Sequence, residues 1–207
     1  MRTDHAIVEA MLEVEGRGNV VVMHGVSWET YLALDADRGH KKWPRLTYLD
    51  GELEIASPTS PAHEVRKKQI ARFVEAYAGV TGRQFNGYGN MTMQNRKRRV
   101  GLDPDECYYV GPVDLVRRPD LAIEVVMTSG GLDKLAAYHR LGVHEVWFWI
   151  RDALQIYELR VRSYALIPRS GLFPDLDLVD LATRVRSPAT NRDQTAAVEA
   201  YRAWLAR

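Results

Sequence analysis

The 207-residue sequence predicts a mixed α/β (α+β) fold, a central mixed β-sheet flanked by α-helices. Three observations carry this. Helical and strand-like patterns interleave along the chain and do not segregate into blocks. An Asp-Gly pair separates two alternating apolar runs in "RLTYLDGELEIAS". The run "LAIEVVM" is apolar enough for a buried strand, except at Glu124.

The elements follow in order. Residues 1–18 suit a loose helix, and "NVVVMHG" a short extended piece. "SWETYLALDADR" is a helix with Ser27 as its cap and Glu29 in its first turn. Asp50-Gly51 makes a hairpin, because both turn positions tolerate positive φ. A long helix starts after Ser60, with Pro61 in its first position. Ile70, Phe73, Val74 and Tyr77 form its apolar face, and Gly79 and Gly82 close it. Strands are expected at "NMTMQN", "ECYYV" and "LAIEVVM", then a short helix "GLDKLAAYHRLG" ending at Gly142. "HEVWFWI", "LQIYELR" and "RSYALIP" read as strands. A last helix runs from about Arg192 to Leu205, with Ala197, Tyr201, Trp204 and Leu205 on one face. Nothing resembles a repeat or a long linker. The expectation is one domain over 1–207, with a core at 26–182 and termini (1–25 and 183–207) packed on it.

Bulk properties narrow the class. A formal net charge of +1 gives no global field that favours nucleic acid, so local clusters must carry that case. Cys107 is the single cysteine, which excludes disulfide frameworks and cysteine-based zinc sites and suits a reducing cytoplasm. The acidic start (Asp4, Glu9, Glu13, Glu15) does not read as a signal peptide, and no run has the length of a membrane span.

Glu124 is the residue out of place. Asp120 shares its strand face, but four residues span roughly 13 Å, too far for one shared ion. Asp120 therefore reads as a polar residue at the start of the strand. "PDECYYV" offers a nearer partner. An antiparallel hairpin about "GPVDLVRR" that sets Asp105 opposite Glu124 is centred between Asp114 and Leu115, inside the loop. Cross-strand neighbours lie about 5 Å apart. Two carboxylates with no nearby base repel, and a hard cation such as Mg²⁺ relieves this. Lys134, at the start of the next helix, can hold an attacking water or neutralise a phosphate.

Other residues are weighed beside these. Glu52 and Glu54 share one face of the hairpin. His63 can touch a phosphate or a site acid, while Glu64 suits the helix dipole. His139 and His144 do not have the helical zinc spacing. Arg96, Lys97, Arg98 and Arg99, and Arg66, Lys67 and Lys68, are basic clusters suited to a nucleic-acid backbone. Arg117 and Arg118 extend that face. Trp147, Phe148 and Trp149 are core candidates and no evidence for base stacking.

"YLDGELEIASPTSPAHE", "PDECYYV", "PDLAIEVVMTSGGLDKLAAYHRLGVHEVWFWI" and "YALIPRSGLFPDLDL", in this order over about residues 26–182, resemble the Uma2 (Uma-two) family of restriction-endonuclease-like proteins. That family is placed in the PD-(D/E)xK nuclease superfamily. The resemblance implies a restriction-endonuclease-like core, a divalent metal (Mg²⁺, with Mn²⁺ as substitute) and phosphodiester hydrolysis, most often of DNA. It implies Asp105 and Glu124 as metal ligands and Lys134 as the catalytic lysine, with Glu52 and His63 at further motif positions. Many duplex-cutting enzymes of this fold pair, so a homodimer is the assembly it suggests. The superfamily lysine normally stands two residues after the acid. Here Val126 stands there, and the resemblance assigns the ammonium to Lys134. The alternative is a nuclease-like fold that binds nucleic acid or a partner protein without cutting.

Overall fold

A computed structural model describes residues 20–39, 44–56, 60–114, 116–126 and 133–207. The helix expected at 1–18 and the turn at 128–131 lie outside the described residues. Among these residues are eleven strands and six helices. The single central sheet of the sequence reading is two sheets. The five-stranded sheet has the order β1-β3-β2-β6-β5. Its strands are β1 (Val20–Met23), β2 (Arg45–Leu49), β3 (Glu52–Ala56), β5 (Met93–Asn95) and β6 (Val100–Leu102). The six-stranded sheet has the order β11-β10-β9-β8-β7-β4. It comprises β4 (Phe85–Gly87), β7 (Glu106–Val110), β8 (Leu121–Val126), β9 (Glu145–Ile150), β10 (Ala153–Leu159) and β11 (Tyr164–Ile167). Only the β8–β9 pair is parallel among these ladders.

The split has a local cause. β6 and β7 are separated by Asp103-Pro104-Asp105, and each belongs to a different sheet. Proline has no N–H for a ladder, so pairing stops there. The two aspartates are anchored separately. Asp103 takes the guanidinium of Arg38, which also donates to the Pro44 carbonyl at 3.1 Å. Asp105 turns toward the six-stranded sheet, where Val125 N–H donates to it at 2.7 Å.

The helices are α1 (Trp28–Arg38), α2 (Pro61–Val80), α3 (Lys134–Leu141), α4 (Leu178–Arg186), α5 (Pro188–Arg192) and α6 (Gln194–Leu205). Ser27 and Ser60 cap α1 and α2, accepting from Thr30 N–H and His63 N–H. Each such cap contributes about 1 kcal/mol. Asp50 and Gly51 have φ of 49° and 99°, which completes the expected hairpin turn. α2 runs through Gly79, so only Gly82, at φ 69°, acts in its closure. α4 was not anticipated, although Leu178, Leu181, Ala182 and Val185 have helical spacing.

Strand alternation sorts β8. Leu121, Ile123 and Val125 pack with Trp147, Trp149 and the α2 residues Ile70, Phe73, Val74 and Tyr77. α4 and α6 join this layer through Leu181, Val185, Val198 and Tyr201. Ala122 faces the other way, toward Met93, Val100, Leu102, Tyr138 and Leu141. Glu124 shares that second face, between the six-stranded sheet and α3. The sheet is thus buried on both sides, and all of Trp147, Phe148 and Trp149 are core residues.

α1 covers the five-stranded sheet through Trp28 and Tyr31, with Tyr31 stacked on Tyr48 at 5.0 Å. Gly101 makes this possible, since a methyl there would overlap the Tyr31 hydroxyl. Gly101→Ala is therefore expected to lower stability by about 1–3 kcal/mol, read as a lower urea midpoint. A midpoint equal to the parent's would show that Tyr31 can move aside freely. Cys107 is fully buried, and burial pushes its thiol up to about 12, so it is a chemically quiet core residue.

Candidate active site

Observed pairing of β7 with β8 sets Glu106 opposite Ile123, Cys107 opposite Ala122 and Tyr108 opposite Leu121. One step further along this register, Asp105 stands opposite Glu124, as the hairpin argument expects. Both are 1% exposed. A buried carboxylate is costly unless paired, and the structure pairs each one.

Asp105 takes the guanidinium of Arg45 on Oδ1. Its Oδ2 receives Val125 N–H at 2.7 Å and lies 3.1 Å from His63 Nε2. Burial alone would push this carboxyl up. The His63 hydrogen bond and the charges of Arg45 and Lys134 prevail and hold it well below the usual carboxylate range. Glu124 receives Lys134 Nζ on Oε2 at 2.8 Å and the Tyr138 hydroxyl on Oε1. Burial pushes Glu124 up, Lys134 opposes this, and the Asp105 charge adds to the rise.

The expectation that the two acids lack nearby bases is therefore corrected. Arg45, at the start of β2, and His63, in the first turn of α2, come from distant parts of the chain. Arg45 had no signal beyond its place in the hairpin. Tyr138 could have been found, since it stands four residues after Lys134 and so on the same face of α3.

Lys134 is the first residue of α3. Asp133 fixes that start by accepting from Leu135 N–H at 3.0 Å and Ala136 N–H at 3.3 Å. A cation at a helix N-terminus opposes the helix dipole. Lys134 is held there by carboxylates: burial lowers its pKa, but Glu124 and Asp105 outweigh this and raise it. Its side chain is 25% exposed, and its ammonium is held 2.8 Å from the buried Glu124 carboxylate.

Two predicted site residues sit differently. Glu52 is half-exposed and pairs with His24 at 3.3 Å, so the structure does not bring it to the cluster. Glu54, two residues along on the same face of β3, is the buried one, and its charge acts on Lys134. His63 does join the cluster. It bridges Asp105 and Glu64, and these partners raise its pKa against the effect of burial.

The basic clusters separate as well. Arg66 donates to Val185 O and lies over the Trp149 ring at 5.1 Å, so it fastens α2 to the core. Lys67 pairs with Glu64 at 2.7 Å, and Lys68 with Glu106 at 3.4 Å. Arg117 binds Asp120 at 2.8 Å, and Asp120 accepts from Val110 N–H, as suits a polar strand start.

Arg96, Lys97, Arg98 and Arg99 form the turn between β5 and β6. The last three, with Asp50, His139 and Arg140, line an open cavity of about 430 Å³. Arg96 lies outside it and pairs with Glu29 at 3.6 Å. Arg98 and Arg140 donate to each other's backbone carbonyls at 2.8 and 3.0 Å. This basic surface is at the C-terminal end of α3. Lys134 and Arg140 are six residues apart on that helix, or roughly 9 Å along its axis.

Whether a divalent metal fits can be judged from the donors. Among the described residues no group of three or more His, Cys, Asp or Glu side chains is arranged to hold a metal ion. Two carboxylates do suit Mg²⁺, which is usually held by one or two carboxylates, waters and substrate phosphates. Asp105 and Glu124 fit that description in chemistry and number.

No curated protein matches the sequence. The fold is similar to that of a solved structure titled as "a putative nuclease belonging to DUF820" from Anabaena variabilis ATCC 29413. The TM-score is 0.54, with 15% sequence identity over 77% of this chain and 99% of that one. At that identity the likeness establishes the fold, a restriction-endonuclease-like mixture of helices and sheets. The profile of the Uma2 family, described as "Putative restriction endonuclease", matches residues 28–181, so the chain belongs to the Uma2 family.

Proposed function

We propose that the chain is a metal-dependent endonuclease that hydrolyses phosphodiester bonds in DNA. The observation that carries this reading is the meeting of Asp105, Glu124 and Lys134: the lysine donates to Glu124, and Asp105 stands opposite Glu124 along the β7–β8 register. Asp105 and Glu124 would hold Mg²⁺, or Mn²⁺ in its place. The ion would supply a bound water of lowered pKa and polarise the phosphoryl oxygen.

The chain's own residues have separable parts. Lys134 is the ammonium of the cluster, its pKa raised by the two acids beside it. It donates hydrogen bonds, which orient a water or stabilise charge growing on the phosphate. Tyr138 keeps its proton and fixes the Glu124 carboxylate. Val125 N–H and His63 fix Asp105. The basic cavity at the other end of α3 would hold the nucleic-acid backbone on either side of the cut.

Plasmid and oligonucleotide cleavage with Mg²⁺ or Mn²⁺ tests the reading. Asp105→Ala and Glu124→Ala are each expected to reduce cleavage by more than the roughly 10–100-fold that loss of an outer-shell contact costs. Unchanged cleavage in both variants would remove these residues from the site.

A second reading is favoured by one observation. All four carboxylate oxygens of Asp105 and Glu124 already accept from protein donors. In that reading the cluster is structural and the chain binds nucleic acid without cutting it. DNA bound tightly, with no turnover in any divalent metal, would establish this one.

A further inference from the structure

The carboxylate pair already has a cation. Arg45 is 9% exposed at its side chain and Asp105 is 1% exposed, so their contact is shielded from water. The guanidinium senses both acids. Burial disfavours its charge, but Asp105 and Glu124 restore it and raise its pKa. A divalent ion on Asp105 would need the same oxygen. Oδ2 is bound from the backbone by Val125 N–H and approached by His63. Oδ1 is the remaining oxygen, and it carries Arg45.

The other two cations obstruct less. Lys134 sits on Glu124 and leaves the oxygens of Asp105 to other partners. His63 has Glu64 as a second partner at 3.2 Å. Among the described residues, Arg45 is the buried cation that holds Asp105 Oδ1. Two cations on one buried oxygen repel strongly, because little solvent screens them.

We propose that Arg45 is a resident counter-cation that competes with a divalent metal for Asp105 and thereby weakens metal binding. This rests on the metal-dependent reading of the site. It gives the two buried acids a cation supplied by the chain itself. It also makes metal uptake dependent on drawing the guanidinium away from Asp105, which the phosphates of a substrate are suited to do. Arg45 is a positioning residue in this account, acting through Asp105.

Mn²⁺ binding to the full chain is the direct test, measured by calorimetry without nucleic acid. Arg45→Met is expected to bind one Mn²⁺ at least tenfold more tightly than the parent. The gain should vanish in Arg45→Met/Asp105→Asn. The thermal midpoint of Arg45→Met should rise with Mn²⁺ while the parent's stays nearly constant. If Arg45→Met does not fold, Arg45→Gln keeps an N–H for Asp105 and removes only the charge. Equal or weaker Mn²⁺ binding by the variant would overturn the proposal and leave the metal reading standing. No Mn²⁺ binding by either protein would overturn both.

Discussion

Lys134→Met is expected to reduce phosphodiester cleavage by about 10²–10³-fold, the usual cost of removing one donor aimed at developing charge. Methionine matches the length of the stem and lacks the ammonium. The basic cavity is left intact, since its residues are elsewhere on α3, on the β5–β6 turn and at Asp50 of the β2–β3 hairpin. DNA affinity should then change little while single-turnover cleavage falls. A parallel loss of affinity and rate would make Lys134 a binding residue only. The variant also leaves Glu124 buried without its cation, and such losses cost about 3–5 kcal/mol. Tyr138 still donates to Glu124, which puts the expected cost at the lower end. Circular dichroism at the assay temperature shows whether the comparison is made on folded protein.

Glu145→Ala is expected to cause the largest loss of stability, more than about 3 kcal/mol, since each buried donor left unsatisfied costs about 1–3 kcal/mol. This carboxylate is fully buried at the first position of β9. Four donors converge on it: Trp147 Nε1 at 2.8 Å, Ser170 Oγ at 2.7 Å, Gly171 N–H at 2.7 Å and Leu172 N–H at 3.0 Å. Alanine would leave all four without this acceptor and release the loop that leads to Phe173, itself packed among Tyr77, Phe85 and Trp147. Glu145→Gln keeps the shape but sets its NH₂ group toward N–H donors, so it should recover only part of the loss. Urea unfolding followed by tryptophan fluorescence reads the difference. A cost under about 1 kcal/mol for alanine would mean that water replaces the carboxylate.

The contrast between these two residues shows what the sequence makes legible. Lys134 could be found because it follows a strand carrying an improbable acid, and Asp105 because hairpin geometry is arithmetic along the chain. Local signals also gave both capping serines, the Asp50-Gly51 turn and the αL close of α3 at Gly142. Arg45 was not found. Its partner is 60 residues away, in the join that leads into the other sheet, and no periodicity reports such a contact. Glu52 and Glu54 lie on the same face of one strand, so alternation cannot rank them. What separates them is strand pairing: β1 runs beside β3 only as far as Leu53, so Glu54 has a strand on both sides and Glu52 on one. Glu145 opens the apolar strand "HEVWFWI" with little local sign of its role, because three of its four donors come from a loop 25 to 27 residues later. The second sheet was missed for a related reason. β4 and β6 are three residues each, too short to show alternation.

The Asp103-Pro104-Asp105 join has a consequence for the order of assembly. Arg45 arrives with one sheet, Glu124 with the other, His63 with α2, and Lys134 with the crossover helix. None of them is supplied by Asp105's immediate neighbours. Contacts of such long sequence separation form late, because chain closure must precede them. A growing polypeptide exposes Asp105 well before residue 134 has left the ribosome. Any chemistry of the cluster is therefore withheld from nascent and half-folded chains, and its appearance marks the moment at which the two sheets have docked.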